Sequence, residues 1–559
     1  MPGETTLIRQ SRDDRSLDLR VRRVAGGLTL AMHPRGPLGI PQANVDAALA
    51  AFRLAGFRVA LHLPAIGVLS VHPTVLAAPE ARVLMGPFGA PAPHGGVGPR
   101  FGPALVDDVS GAALHYDGAV VARFTSAPTP AEWGAIGAQV PFGRERDLLY
   151  ASYAYVLRPA DPSLEAGVRL SDACYALPTA THAYPVLSQM SRDHAVLPRA
   201  PQGEPSPEEW HWGSPGYAAR NFPGRVGINA PRAWASGNLG ENLRVAVIER
   251  ECAADVDHVQ LAGRVHAARD VTLVPAPTGD NLRKPTAMDG KHATMVAGLA
   301  CAGGIPRDGA AGVTWSASGS APRAQLVAIL AEDGLGSLAE ADALYQAKEL
   351  GADVINCSWG LDSEDRWHTL RPHVSWAIEH VTREGRSAPG KRVKYGCTVI
   401  FSAGNGARYG QTTAMSGYCR HPDVIVVGAC MPDGTANDYS NPGREVLCVV
   451  PMGYSANGVD VFVRTLDITG PLGGNPAPSP EGDYADSIGK TSAAAPAVAG
   501  VVLLMLEKCP TLTPGEIRDI LWQSSTPLGG RAPVGAHHYN FGAGRVNAEA
   551  AVKLASRYR

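Results

Sequence analysis

Near its C-terminal end the chain carries Gly489-Lys490-Thr491-Ser492-Ala493-Ala494-Ala495-Pro496, followed by an almost uninterrupted apolar run to Leu506. The run sets a serine between small residues at the start of a predicted buried helix. A hydroxyl there gains from the positive end of the helix dipole and from backbone N–H groups that no helical carbonyl can reach. Small neighbours let a substrate backbone come close. Ser, Thr and Ala also open many purely structural helices, so the run gains chemical meaning only from partners elsewhere in the chain.

Three upstream segments offer such partners. In Gly290-Lys291-His292-Ala293-Thr294-Met295-Val296-Ala297-Gly298 the apolar spacing after the histidine is helical. His292 therefore opens a helix, where an imidazole can act as general base for a hydroxyl or simply cap the helix end. In Val245-Ala246-Val247-Ile248-Glu249-Arg250-Glu251 an acid follows a buried strand. Open α/β folds place functional groups at that end of a strand, and Glu249 can accept from the His292 ring and set its tautomer. A solvated loop acid is the alternative, for Glu249 and more so for Glu251. In Ser402-Ala403-Gly404-Asn405-Gly406 an amide again follows an apolar strand. Asn405 can donate to a developing oxyanion, and Gly-Asn-Gly is equally good turn chemistry.

These residues must be held by larger elements. From Ile228 onward apolar, β-branched runs alternate with helical patterns: 243–248, 325–330, 353–357, 398–402 and 423–427 read as strands, and 338–350 as a helix. Continuous runs of this kind predict a doubly wound, mostly parallel sheet covered on both faces. Residues 106–200 read as a small α+β unit with strands at 119–124 and 153–157, a helix opened by Pro130 and Glu132, and a second helix over 185–194. A linker, 201–225, separates it from the α/β domain, 226–559. Residues 1–105 read as an extra α+β domain of unassigned role, with a helix over 45–55, capped by Asn44, beside a strand at 58–63.

Bulk composition narrows the function classes. The 559 residues hold 50 Lys plus Arg against 52 Asp plus Glu, for a formal charge of −2. That balance gives no electrostatic reason to expect nucleic acid or an anionic membrane as partner. The chain opens without the apolar core of a signal peptide, and no run of about 18 apolar residues suggests a membrane span. Nine cysteines, eight of them after residue 250, lie scattered without metal-ligand spacing. Cys301, Cys357, Cys430 and Cys448 read as small core residues, and a Cys397–Cys419 disulfide is the alternative use for that pair. A reduced, cytoplasmic compartment follows as the expectation. No metal site is legible.

Together the four segments, in the order acid, His, Asn, Ser, resemble the subtilisin-like serine protease (subtilase) family. The resemblance spans about residues 225 to 555 and extends to Ile355-Asn356-Cys357-Ser358-Trp359-Gly360, to the strand from His421 to Ala429, to the turn Asn437 to Gly443 and to the ending Phe541 to Ala548. It implies a subtilisin-like fold, with Ser492 as nucleophile, His292 as base, Glu249 as its acid and Asn405 as oxyanion donor. It also implies that Gly334-Leu335-Gly336 and Ser358-Trp359-Gly360 line a peptide-binding cleft by strand addition. The sequence departs from the family at three positions. The acid is Glu249 rather than Asp, with Glu251, Asp255 and Asp257 as fallbacks; Lys490 and Ala293 stand where glycines are usual. Lys490 brings a cation close to the nucleophile.

The family commonly carries an N-terminal prosegment that chaperones folding and then inhibits the site. Residues 106–200 resemble one in layout, with 194–199 as the tail in the cleft. The resulting expectation is an intracellular serine endopeptidase made as an autoinhibited zymogen, with protein or peptide substrates and its own N-terminal region as intramolecular inhibitor. Calcium is implied by the resemblance alone. A catalytically weak subtilase fold serving as a protein-binding scaffold is the alternative, carried by Glu249 and Lys490.

Overall fold

The computed structural model describes residues 5–8, 19–31, 57–63, 68–73, 100–107, 113–190, 192–193 and 212, and most of 227–558, with 273–290 and 304–316 the longest stretches left out. The chain divides into two compact units. The first comprises residues 1–190 with 332–341 and 369–376, and the second comprises the rest.

The first unit is built on an antiparallel sheet. Its strands are β1 (Thr5–Ile8), β2 (Leu19–Ala31), β3 (Phe57–Leu63), β4 (Val68–Pro73), β5 (Arg100–Asp107), β6 (Ala113–Phe124), β7 (Phe142–Asp147), β8 (Ala154–Pro159) and β9 (Ala180–Met190). The boundary expected at 105/106 falls inside this sheet, because β5 and β6 pair through Leu105↔Leu114 and Val106↔Ala113. Two helices, α1 (Pro130–Gln139) and α2 (Leu164–Tyr175), also belong to the unit. Thr129 and Glu132 cap α1 reciprocally, the pairing that a hydroxyl at the cap and an acid three residues on make possible. Phe124, Ile136, Leu170 and Ala183 share the core beneath.

The helix expected over 185–194 is a strand in the structure. Residues 180–190 form β9, which pairs with β6 and, through Gln189 and Met190, with the short strand Gly334–Leu335. Pro185 is tolerated because it falls where the β6 register shifts between Tyr116 and Val120, around Gly118 at φ +83°. Tyr184, Val186 and Leu187 then fill a buried strand rather than a helix face. The expected helix at 45–55, the tail 194–199 and most of the linker lie outside the described residues.

The second unit carries the parallel sheet. Its strands are β10 (Arg192–Asp193), β11 (Arg244–Glu249), β12 (Val265–Asp270), β13 (Gln325–Leu330), β14 (Val354–Cys357), β15 (Trp359–Gly360), β16 (Thr398–Ser402), β17 (Val424–Cys430) and β18 (Val446–Pro451). Seven of them form the sheet in the order β12-β13-β11-β14-β16-β17-β18, parallel throughout. The chain runs from β11 to one edge and returns to extend the sheet on the other side, so the ends of β11 and β14 flank a reversal of strand order. Open α/β sheets bind their ligands at such a reversal.

Helix α3 (Lys291–Cys301) and helix α4 (Lys490–Lys508) pack together in the core of this unit. By length and apolarity α4 is the one candidate membrane span among the described residues, yet 89% of that window is buried inside the fold. It is a core helix. The helices approach closely because α4 has no side chain at Gly500, where a Cβ would overlap Ser320 Oγ and come within 2.9 Å of the Ala300 carbonyl. Gly500→Val is expected to cost about 1–3 kcal/mol of stability by overpacking, with Gly500→Ala intermediate. Guanidinium unfolding midpoints check this; wild-type midpoints for both would mean that the helices have room to spare.

Candidate active site

Glu249 is the last residue of β11, paired in register with Leu330 of β13, and is fully buried. His292 is the second residue of α3 and is buried as well. Their side chains meet, with His292 Nδ1 3.1 Å from Glu249 Oε2. A carboxylate can only accept, so Nδ1 carries the proton, and in the neutral ring Nε2 is then the lone-pair nitrogen. The longer glutamate side chain thus reaches the ring from the strand end. Glu249 Oε1 is buried with no hydrogen-bond partner among the described residues.

The fallback acids do other work. Asp255 accepts from Thr469 N at 2.9 Å and from the Thr469 hydroxyl, and its other oxygen accepts from Asp257 N at 3.3 Å. It ties down the 467–470 loop, while Thr294 of α3 accepts from its backbone N–H. Glu251 lies outside the described residues.

Ser492 is the third residue of α4 and is fully buried. Its hydroxyl donates to the Ser358 carbonyl at 3.2 Å, and Ser358 Oγ donates back to the Ser492 carbonyl at 3.0 Å. The return bond has a local cause. Pro496, four residues on, has no N–H, so the Ser492 carbonyl lacks its intrahelical donor and takes the Ser358 hydroxyl instead. Asn356 Nδ2 donates to Ser358 Oγ at 3.0 Å and fixes that hydroxyl in turn.

Asn405 is joined to the same helix start. Its Oδ1 accepts from Thr491 N at 3.1 Å and from Thr491 Oγ1 at 2.8 Å. This fixes the orientation of the amide. Its Nδ2 is buried without a hydrogen-bond partner among the described residues. A buried donor left unmade costs about 1–3 kcal/mol, which a negatively charged oxygen would recover. The loop itself is clamped: Asn441 Oδ1 accepts from Gly406 N at 2.8 Å, and Asn441 N donates to the Gly404 carbonyl at 2.9 Å. Gly404 holds φ +96° against the Asn441 amide, a place only glycine fits. Thr491 and Asn441 were not singled out as site residues from the sequence, although both lie inside segments that carried the resemblance.

Trp359 does not face a substrate groove. It is buried, donates from Nε1 to the Ile248 carbonyl at 2.7 Å, and packs edge-on against Phe401 and Tyr418. The Arg250 guanidinium lies over its ring. Its backbone and that of Gly360 pair antiparallel with Asp193 and Arg192 of β10. In the first unit Gly334 and Leu335 pair in the same sense with Met190 and Gln189, and Gly336 N donates to buried Glu340 at 2.7 Å. Both segments expected to take an extended peptide are therefore occupied by strand residues of the same chain.

Cys397 and Cys419 are separate buried thiols rather than a disulfide. Burial pushes both up to about 12, so neither is a reactive thiolate.

Lys490 departs from ideal geometry. Its φ is +61°, in the left-handed region that disfavours any residue with a Cβ. Lys490→Gly is expected to keep or raise stability, whereas a β-branched Lys490→Val should lower it by about 1–3 kcal/mol. Denaturant midpoints in the order Gly at or above Lys, and Lys above Val, check the strain. Equal midpoints for all three would show that the backbone there is relaxed.

Comparison with known proteins agrees with this geometry. A family model described as the Subtilase family matches residues 240–544. A calcium-dependent protease of Trichormus variabilis is 32% identical over 373 residues, 63% of this chain and 52% of that protein. Subtilisin E of Bacillus subtilis is 29% identical over 329 residues, 58% of this chain and 70% of that protein. The chain thus spans about half the length of the calcium-dependent protease it matches. Among solved structures, fervidolysin from Fervidobacterium pennivorans, a keratinolytic enzyme related to subtilisin, aligns with TM-score 0.55 at 21% identity, covering 78% of this chain and 61% of that one. At that identity the likeness speaks for the fold alone. With the matched region covering more than half of its length, the chain belongs to the subtilase family.

Proposed function

We propose that this chain is a serine endopeptidase that cleaves proteins through an acyl-enzyme, with Ser492 as nucleophile, His292 as base, Glu249 as the acid that holds it, and Asn405 as oxyanion donor. The observation that carries the reading is the buried hydrogen bond between His292 Nδ1 and Glu249 Oε2, which supplies an oriented base within the unit that buries Ser492. In the reaction Ser492 Oγ leaves the Ser358 carbonyl by a rotation about χ1 and adds to the scissile carbonyl carbon while His292 Nε2 takes its proton. The new oxyanion receives Asn405 Nδ2 and the Ser492 backbone N–H, an orphan donor at the helix start. Collapse expels the amine, which takes the proton from His292, and water then releases the acyl group by the same route.

Restraint by the N-terminal region belongs to the same proposal. What supports it is the pairing of Gln189–Met190 and Arg192–Asp193 with the two segments that an extended substrate would need. Retention inside the cell is proposed on the buried, separate thiols. Calcium comes to this chain only from the name of its relatives. Calcium needs about six to eight oxygen ligands. Among the described residues no group of three or more acidic, His or Cys side chains converges to hold a metal, and no step is assigned to calcium.

A fluorophosphonate should label Ser492 of the wild-type protein, with Ser492→Ala unlabelled. Glu249→Gln should lower kcat by about 10³–10⁴-fold, since the ring loses its tautomer and its counter-charge. An unlabelled Ser492 in folded protein would favour the scaffold alternative, and a near-normal Glu249→Gln would remove the acid's role. Self-processing is checked by intact mass against Ser492→Ala. The wild type should lose its N-terminal region by cleavage between Val196 and Arg225, and identical masses apart from the substituted oxygen would sink it.

A further inference from the structure

Lys490 sits two residues before Ser492, at the first position of α4, with φ +61°. Glycine would occupy that conformation at no steric cost, so the backbone alone disfavours lysine. Strain retained beside a functional group asks for a role of the side chain. The Lys490 side chain is half-buried, and loss of hydration lowers its pKa from the ordinary lysine value, with Arg408 acting in the same direction and Asp438 opposing. Thr491 N, next in the chain, donates to Asn405 Oδ1 at 3.1 Å, so Lys490 stands on a helix start that meets the Asn405 loop. Arg408 lies on the turn Ala407–Tyr409 that follows Asn405-Gly406, and its Nη2 is 3.7 Å from Asp438 Oδ2.

Arg408 thus takes the Asp438 carboxylate, and among the described residues no acid closes an ion pair with Lys490. The two cations are carried by the start of α4 and by the turn after the Asn405 loop, the segments joined through Thr491 and Asn405. Half-burial leaves the Lys490 charge less screened than a surface charge. A neutral substrate would leave this ammonium without compensation, and a basic one would add a third cation.

We propose that Lys490, with Arg408, is a specificity-determining residue that selects substrates carrying a carboxylate side chain next to the scissile bond. This rests on the peptidase reading above. A peptide occupying the site brings its own side chains past the loop and past α4, and an Asp or Glu there completes the charge balance that Asp438 leaves open.

The test compares kcat/KM for peptides identical except at one position within two residues of the scissile bond, carrying Glu, Gln or Lys. Wild type is expected to favour Glu over Gln by about twofold to fivefold at one of these positions. Lys should fall below Gln, and the ratio should shrink as salt shortens the screening length from about 10 Å to about 3 Å. Lys490→Met should bring the Glu/Gln ratio toward one whatever the absolute rate, and Lys490→Arg should keep it. Lys490→Gly, which loses the charge and relieves the strain, should behave like Lys490→Met. An unchanged ratio in Lys490→Met, or no acid preference in wild type whose Ser492 is labelled by a fluorophosphonate, would overturn the charge-selecting role. Wild type that takes no label would overturn the peptidase reading and this inference with it.

Discussion

A helix that begins inside a protein core leaves its first N–H groups with nothing to bond unless other segments come to meet them. Helix Lys490–Lys508 begins this way, with Thr491 through Leu506 buried. The Thr491 N–H and hydroxyl take the Asn405 side chain, and the carbonyl freed by Pro496 takes Ser358. Two loops, each following a strand of the parallel sheet, are thus fixed by the needs of one helix terminus. Ser492 and Asn405 thus lie on segments joined at one helix terminus, through Thr491.

Electrostatics set the other half of the site. His292 and Glu249 are both buried, where a charged group alone would be expensive. Their mutual hydrogen bond offsets part of that expense, and it engages only one of the two ring nitrogens. Glutamate in place of aspartate does not break this arrangement, since β11 ends far enough from α3 for the longer side chain to span the gap. Asp255 is no rival, because its carboxylate is spent on holding Thr469 and Asp257.

In the first unit a strand edge is closed by a segment of the same chain. An open strand edge offers unpaired N–H and C=O groups to any extended segment. Here Gly334–Leu335 has been taken by the end of β9. The connection is reinforced where Tyr184 and His373 exchange hydrogen bonds at 2.9 and 3.0 Å and Arg371 Nε reaches the Leu187 carbonyl at 3.3 Å. His373 is fully buried, and loss of hydration pushes its pKa down to about 3, so it holds this joint as a neutral ring.

Ser492, His292 and Asn405 were legible from the sequence because each sits at the end of an apolar run whose period is local and unambiguous. The parallel sheet was legible for the same reason: its β-branched runs have no other use than a strand buried on both faces. Other features were not decided locally. The run from Ala183 to Ser188 has a period that fits either element, and only pairing with β6 made it a strand. The boundary at 105/106 vanished because β5 and β6 pair across it. Glu249 was the acid expected from the sequence, with Glu251, Asp255 and Asp257 as fallbacks, and the structure shows its side chain reaching His292. Trp359 turned toward Phe401 and Tyr418 because the space was there to fill. The sequence by itself determined which residues could do chemistry and the sheet that carries them. Tertiary structure alone decided what covers the strand edges and where Trp359 packs, because these depend on contacts between segments far apart in the chain.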